Sequence, residues 1–213
     1  MNKVIIFDCY GTILNTYPLI MEAFKKTFKA LLPNSSFTQE ELNKCFGPSL
    51  KETFSRYFEE NKVNEVIEIY RNNSKELMPK MLHAFKNIKE LLDELKTRDY
   101  KLAILSNKAY DMLMYGLELA NLKNYFEIVV GYEQMENPKP SPDGIYVIKN
   151  FYKENYKYYF VGDTLIDIET AKNVKDVTSI GVTWCITKKE DFVKFNTDYI
   201  VNDPLEILSI VEE

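Results

Sequence analysis

Val4-Ile5-Ile6-Phe7-Asp8-Cys9-Tyr10-Gly11-Thr12 is the stretch whose reading decides the fold. Four apolar residues run without a polar break and end on an aspartate. That is the pattern of a strand buried on both faces of a parallel sheet, with its carboxyl end opening on a ligand site. The pattern recurs: Lys101 to Leu105 runs into Ser106, Ile128 to Val130 into Gly131, Tyr158 to Val161 into Gly162-Asp163, and Thr178 to Val182 forms a fifth run. Segments of helical period lie between them, such as Ile88, Leu91, Leu92 and Leu95, or Ile145, Val147, Ile148 and Phe151. Strand alternating with helix predicts an α/β fold, a doubly wound parallel sheet.

One interval breaks the rhythm. From Asp8 to Ser106 the chain is far longer than the roughly 30 residues a βαβ unit needs. The surplus, residues 16–80, holds no strand-like run and reads as helices at Leu19 to Leu32, Gln39 to Phe46, Leu50 to Asn61 and Val63 to Met78. An all-helical cap domain inserted into a core of residues 1–15 and 81–213 is therefore expected. Joined by two crossings after the first strand, it would hinge over the polar end of the sheet and exclude water there.

Composition narrows the chemistry. A 213-residue chain with 46% hydrophobic residues, 28% charged residues and a net charge of -5 reads as a globular protein with no basic footprint for nucleic acid or anionic lipid. Its seven glycines are too widely spaced for a G-x-G-x-x-G or Walker loop. The lone histidine, His83, argues against a Ser-His-Asp hydrolase or a His-rich zinc site. Three scattered cysteines, Cys9, Cys45 and Cys185, read as reduced thiols. With only four apolar residues before Asp8 and no membrane-length run, a cytoplasmic protein is expected, monomeric or weakly homodimeric, without nucleic-acid or membrane partners.

Four polar clusters fall on or beside the strand ends: Asp8-Cys9-Tyr10-Gly11-Thr12, Ser106-Asn107, Lys139-Pro140 and Gly162-Asp163-Thr164-Leu165-Ile166-Asp167. In this order they resemble the four motifs of the haloacid dehalogenase superfamily, and the resemblance spans essentially the whole chain. Phe46-Gly47-Pro48-Ser49-Leu50, Asp167 to Asn173 and Gly181-Val182-Thr183-Trp184 are similar to stretches of its phosphoglycolate phosphatase and inorganic pyrophosphatase-like group. The resemblance implies a magnesium-dependent phosphohydrolase acting on a small phosphorylated metabolite or pyrophosphate, with Gly47 and Ser49 as cap residues that touch substrate.

The residue types suit that chemistry. A carboxylate at a strand end, followed by a glycine that lets amides approach, can attack phosphorus and form an aspartyl phosphate, which assigns Asp8 as nucleophile. Magnesium takes hard oxygen ligands, here Asp8, Asp163 and the carbonyl of Tyr10. Gly11, Thr12, Ser106 and Asn107 are the candidate phosphate binders, and Lys139 adds a catalytic positive charge. Asp167 is expected to support the site by orienting water or pairing with Lys139.

Tyr10 departs from the family pattern. Most of the phosphatases carry an aspartate there as general acid and base, whereas a tyrosine can donate a proton but is a poor base near neutrality. Tyrosine at this place is similar to the metal-independent 2-haloacid dehalogenases, which lack the Asp163/Asp167 pair. Three readings therefore stand: a phosphohydrolase, a dehalogenase in which Asp8 attacks carbon, and a phospho-ligand binder impaired in turnover.

Overall fold

The computed structural model describes residues 2–45, 50–153 and 156–213. In chain order, β1 (Lys3–Phe7) and the short β2 (Leu14–Asn15) are followed by α1 (Tyr17–Leu31), α2 (Gln39–Asn43), α3 (Leu50–Ser55) and α4 (Glu60–Met81). Then come β3 (His83–Ala84), α5 (Ile88–Thr97), β4 (Lys101–Leu105), α6 (Tyr110–Leu119), β5 (Ile128–Val130), α7 (Asp143–Tyr152) and β6 (Lys157–Gly162). The chain closes with α8 (Leu165–Lys172), β7 (Val177–Val182), α9 (Lys189–Lys194), β8 (Tyr199–Val201) and α10 (Glu206–Glu212).

These elements form two compact units, one of Met1–Asn15 with His83–Glu213 and one of Thr16–Leu82. The first is an α/β unit built on a sheet of order β5-β4-β1-β6-β7-β8, every neighbouring pair parallel. β1 lies inside the sheet, and its side chains Val4, Ile5, Ile6 and Phe7 are fully buried, as an unbroken apolar run requires. Val4 and Ile6 pack with Ala103, Leu105, Tyr158 and Phe160 against Ile145 and Ile148 of α7. Ile5 and Phe7 point to the other face by strand alternation. Burying each such side chain contributes about 1.5–3 kcal/mol, which anchors β1 firmly in the unit.

The strand order has one functional consequence. Successive strands run outward from β1 through β4 to β5, and then the chain returns to the other side of β1 to lay down β6, β7 and β8. The reversal falls at β1, and ligands of such sheets bind in the crevice beyond the carboxyl ends of the strands at that point. β8, an edge strand of three residues, is an addition to the five strands expected from apolar runs; a half-buried strand of this length carries too little pattern to be recognised. β2 and β3 form a separate antiparallel ribbon pairing Leu14 with Ala84 and Asn15 with His83.

The second unit, Thr16–Leu82, consists among its described residues of helices α1 to α4 and the turns and loops that join them, with no strand. Its core is aromatic: Phe24 lies 4.6 Å from Tyr70 and 5.6 Å from Phe54 between ring centroids, and Phe28 stacks on Phe37 at 4.3 Å. The unit ends at Leu82, two residues past the boundary read from the sequence. α3 stops at Ser55 rather than continuing to Asn61, because Arg56 to Phe58 tighten into a turn and Glu59 is extended at ψ 146°.

Candidate active site

The polar clusters converge beyond the carboxyl ends of β1, β4 and β6. Asp8 continues the ladder one residue past β1, its N–H donating to Val161 O at 2.8 Å. After Tyr10 the chain turns sharply, with Ile13 N and Leu14 N both donating to Cys9 O. Gly11 makes that turn at φ +99°, and a Cβ there would fall on the Asp163 carboxylate, so only glycine fits. Thr12 is fully buried and its hydroxyl donates to Asp163 Oδ1 at 3.1 Å. Its side chain is therefore occupied, and what it can offer a phosphate is backbone.

Lys139 is the centre of the cluster. Its Nζ lies 2.7 Å from Asp8 Oδ1, 2.5 Å from Asp167 Oδ1 and 3.3 Å from Leu105 O. Burial alone would lower its pKa, but the charges and hydrogen bonds of Asp167 and Asp8 outweigh that and hold it well above the usual lysine range. The loop that carries it is clamped by Asn107, whose Nδ2 donates to Lys139 O at 3.0 Å while Lys139 N donates to Asn107 Oδ1 at 2.8 Å. Ser106, at the end of β4, hydrogen-bonds the Asp8 carboxylate through its hydroxyl. Asp167 is pinned a second way: its Oδ2 accepts from the N–H and the hydroxyl of Thr164 at 3.0 and 2.6 Å, the capping box that starts α8.

The electrostatics are lopsided. Asp8, Asp163 and Asp167 are exposed by only 6, 3 and 2%, and the ammonium of Lys139 pairs with two of them, Asp8 and Asp167. Burial, more than anything else, raises the pKa of Asp8, with the Lys139 charge opposing it. Burial also raises Asp163, which the charges of Asp8 and Asp167 push further. Like charges about 4 Å apart repel by about 4 kcal/mol at an effective dielectric constant near 20, so the cluster favours an added cation. Asp167 is matched by Lys139, which leaves Asp8 and Asp163 as the available oxygen donors. Among the described residues no group of three or more His, Cys, Asp or Glu is arranged to hold a metal ion. Two carboxylates completed by a carbonyl, water and substrate phosphate are nevertheless the sparse set that magnesium accepts, so the residues present fit that ion.

Tyr10 points elsewhere. Its phenol donates to Met112 O in α6 at 2.7 Å, and burial pushes its pKa far up. Gly47 and Ser49, the expected cap residues, lie outside the described residues.

Two residues after β7 take roles at the site that their sequence context does not signal. The Cys185 thiol hydrogen-bonds Asp163, and burial, then the Asp163 charge, push it up to about 12. The indole N–H of Trp184 donates to Thr12 O at 3.0 Å, tying the loop after β7 to the turn after β1. Neither sits in a local pattern that signals such a role. Thr164 did carry a signal, its Thr-x-x-Asp spacing to Asp167.

Breaking a buried ion pair by removing one partner strands the other charge. Lys139→Ala is expected to lower unfolding free energy by about 3–5 kcal/mol, read from urea denaturation in chelator. A loss below about 1 kcal/mol would show that Lys139 is no structural pivot.

Comparison with known proteins accords with this geometry. The haloacid dehalogenase-like hydrolase family matches residues 5–182. The pyrophosphatase PpaX of Listeria monocytogenes serotype 4b is 34% identical over 212 residues, covering 98% of this chain and 96% of that protein. PpaX of Bacillus cereus is 29% identical over 210 residues, at 98 and 96% coverage. A haloacid dehalogenase-like hydrolase from Streptococcus pneumoniae superposes with a TM-score of 0.82 at 25% identity, covering 99% of this chain and 98% of that one. With a converged aspartate, lysine and serine at the switch point of its sheet and that family matched over most of its length, this chain is an enzyme and belongs to the haloacid dehalogenase-like hydrolases.

Proposed function

We propose that the enzyme is a magnesium-dependent phosphohydrolase that transfers phosphoryl to Asp8 and then to water, on a small phosphorylated metabolite or pyrophosphate. The observation that carries this reading is the excess of buried carboxylates over cations at the ends of β1 and β6. An anionic substrate would be repelled from such a cluster, and a divalent cation turns that repulsion into attraction. The same argument weighs against a metal-independent dehalogenase, whose 2-haloacid substrate is itself an anion. The names of the pyrophosphatase relatives support the phosphohydrolase reading.

Asp8, Asp163 and the Tyr10 carbonyl would hold the magnesium ion, which when bound neutralises charge on the phosphate oxygens. The chain's own residues do the rest. Lys139, fixed by Asp8 and Asp167, keeps Asp8 ionised and presents positive charge to the phosphoryl group. Ser106 orients the nucleophile through its hydroxyl. The Asn107 clamp holds the Lys139 loop at the end of β4. The Gly11 N–H is taken by Leu14 O at 2.9 Å, so the amides of Thr12 and Asn107 are the ones that would face the phosphate oxygens. With net charge -5, and with no described helix long and apolar enough to cross a membrane, a cytoplasmic enzyme working as a monomer or weak homodimer is the accompanying proposal.

Asp8→Asn keeps the shape of the side chain but cannot attack phosphorus. Turnover of p-nitrophenyl phosphate in magnesium is expected to fall by roughly 10³-fold or more with the circular dichroism spectrum unchanged. Retention of more than a few per cent of wild-type rate would remove Asp8 from the nucleophile's role.

Asp163→Ala leaves one carboxylate for a cation that dehydrates reluctantly. The magnesium concentration for half-maximal rate should rise by at least about tenfold, with weaker magnesium binding by calorimetry to match. Wild-type activity that persists in excess chelator would favour the dehalogenase reading instead.

A further inference from the structure

Tyr10 stands two residues past Asp8, yet its hydroxyl is docked in α6. The acceptor is the main-chain carbonyl of Met112 at 2.7 Å, and a carbonyl has no proton to give, so the phenolic hydrogen is the one shared. Gly116, one turn further along the helix, makes the room. A Cβ at Gly116 would stand 2.6 Å from the Tyr10 hydroxyl and 3.3 Å from the ring carbon that bears it. Glycine within a helix is unfavourable by itself, and here the missing side chain is what admits the phenol. Lys108 Nζ lies 5.7 Å from the centre of the same ring. Tyr10 is therefore held at its tip and over its face by α6 and the loop that leads into it.

The other protic groups of the cluster are also committed. The Lys139 ammonium is shared by Asp8 and Asp167, the Ser106 hydroxyl is on Asp8, the Thr12 hydroxyl is on Asp163, and Asp167 accepts twice from Thr164.

We propose that Tyr10 locks the turn after β1 onto α6 and takes no part in proton transfer, so that the enzyme accepts phosphoryl only from donors whose leaving group departs unprotonated and forms a long-lived aspartyl phosphate. This inference rests on the phosphoryl-transfer reading above. In the first step an Asp8 oxygen bonds to phosphorus while the bond from phosphorus to the leaving oxygen breaks, and the electron pair departs with that oxygen. Phosphate, carboxylate and nitrophenolate carry the pair without help near neutral pH, whereas an alkoxide needs a proton as it leaves. In the second step water attacks the same phosphorus, the bond to Asp8 breaks, the carboxylate recovers its pair, and the proton of the water passes to the product phosphate or to solvent. A positioned base typically contributes about 10²- to 10⁴-fold to such a step, and without one the second step limits turnover.

The test is acid quenching of the wild-type enzyme during turnover of ³²P-labelled pyrophosphate in magnesium, together with rates on p-nitrophenyl phosphate and glycerol 1-phosphate. Most chains are expected to carry label, nitrophenolate should be released in a burst, and the alkyl ester should turn over at least about 10²-fold more slowly than the aryl ester. Tyr10→Phe, which deletes only the phenolic hydroxyl, should leave the aryl-to-alkyl ratio within about twofold of wild type. Tyr10→Asp, if folded by circular dichroism, should shorten the life of the labelled enzyme and raise alkyl turnover by up to about 10²-fold. Brisk alkyl turnover with little protein-bound label, or a selective loss of alkyl turnover in Tyr10→Phe, would overturn this inference and leave the phosphohydrolase reading standing. Absence of label and of turnover on every donor would overturn both.

Discussion

The ammonium of Lys139 is shared between the carboxylates of Asp8 and Asp167, and the site is organised around that contact. The three residues come from the end of β1, the loop before α7 and the first turn of α8, with Lys139 lying 131 positions from Asp8 and 28 from Asp167 in sequence. No local preference brings them together; the sheet does. Once β1 is fixed between β4 and β6, the desolvated lysine is met by these two carboxylates, one carbonyl and the ring of Phe160, and leaving it unpaired would carry the full penalty of a buried charge. The pair also sets the chemistry. By matching Asp167, Lys139 leaves the negative charge of Asp8 and Asp163 only partly offset, so the site asks for a cation from outside the chain.

That arrangement explains why the polar residues sit at one end of the sheet. All strands of the main sheet are parallel, so their carboxyl ends lie together, and the reversal of strand order at β1 leaves a gap between the connections to either side. Strand alternation then decides which side chains reach the gap and which are buried: Cys9, between Asp8 and Tyr10, is fully buried. The second level of support is backbone. Asn107 reads the main chain of Lys139 in both directions, Trp184 reads the carbonyl of Thr12, and Tyr10 reads the carbonyl of Met112. Loops that could drift are in this way referred to elements that cannot.

What the sequence made legible follows from these same physics. The central strands were readable because burial on both faces demands an unbroken apolar run, as at Val4 to Phe7 and Tyr158 to Val161. Asp8, Ser106 and Asp163 were readable because they end such runs, and the partnership of Lys139 with Asp167 because a familiar order of motifs pointed to it. The edge strand Tyr199–Val201 was not, since three residues, two half-buried and one buried, follow no period strongly. The roles of Trp184 and Cys185 were not, because each depends on where a loop after β7 happens to pass. The capping box at Thr164 was legible in its Thr-x-x-Asp spacing to Asp167.

Tyr10 shows most clearly where pattern stops and structure begins. Its place in the motif raises the question of proton transfer, but the answer lies in α6, 102 residues away, where Gly116 opens a notch and Met112 offers a carbonyl. A tyrosine at position 10 without a glycine at 116 would have its hydroxyl displaced from the helix, and a glycine at 116 without the tyrosine would leave a helix weakened with nothing in the notch. The two residues make sense only together. A turn that must hold a nucleophile steady can be braced either by the charges it uses in catalysis or by a contact that catalysis never touches. Here Lys139 supplies the first kind of brace and Tyr10 the second, so under the proposed phosphoryl transfer the turn after β1 would stay fixed while the charge on Asp8 changes.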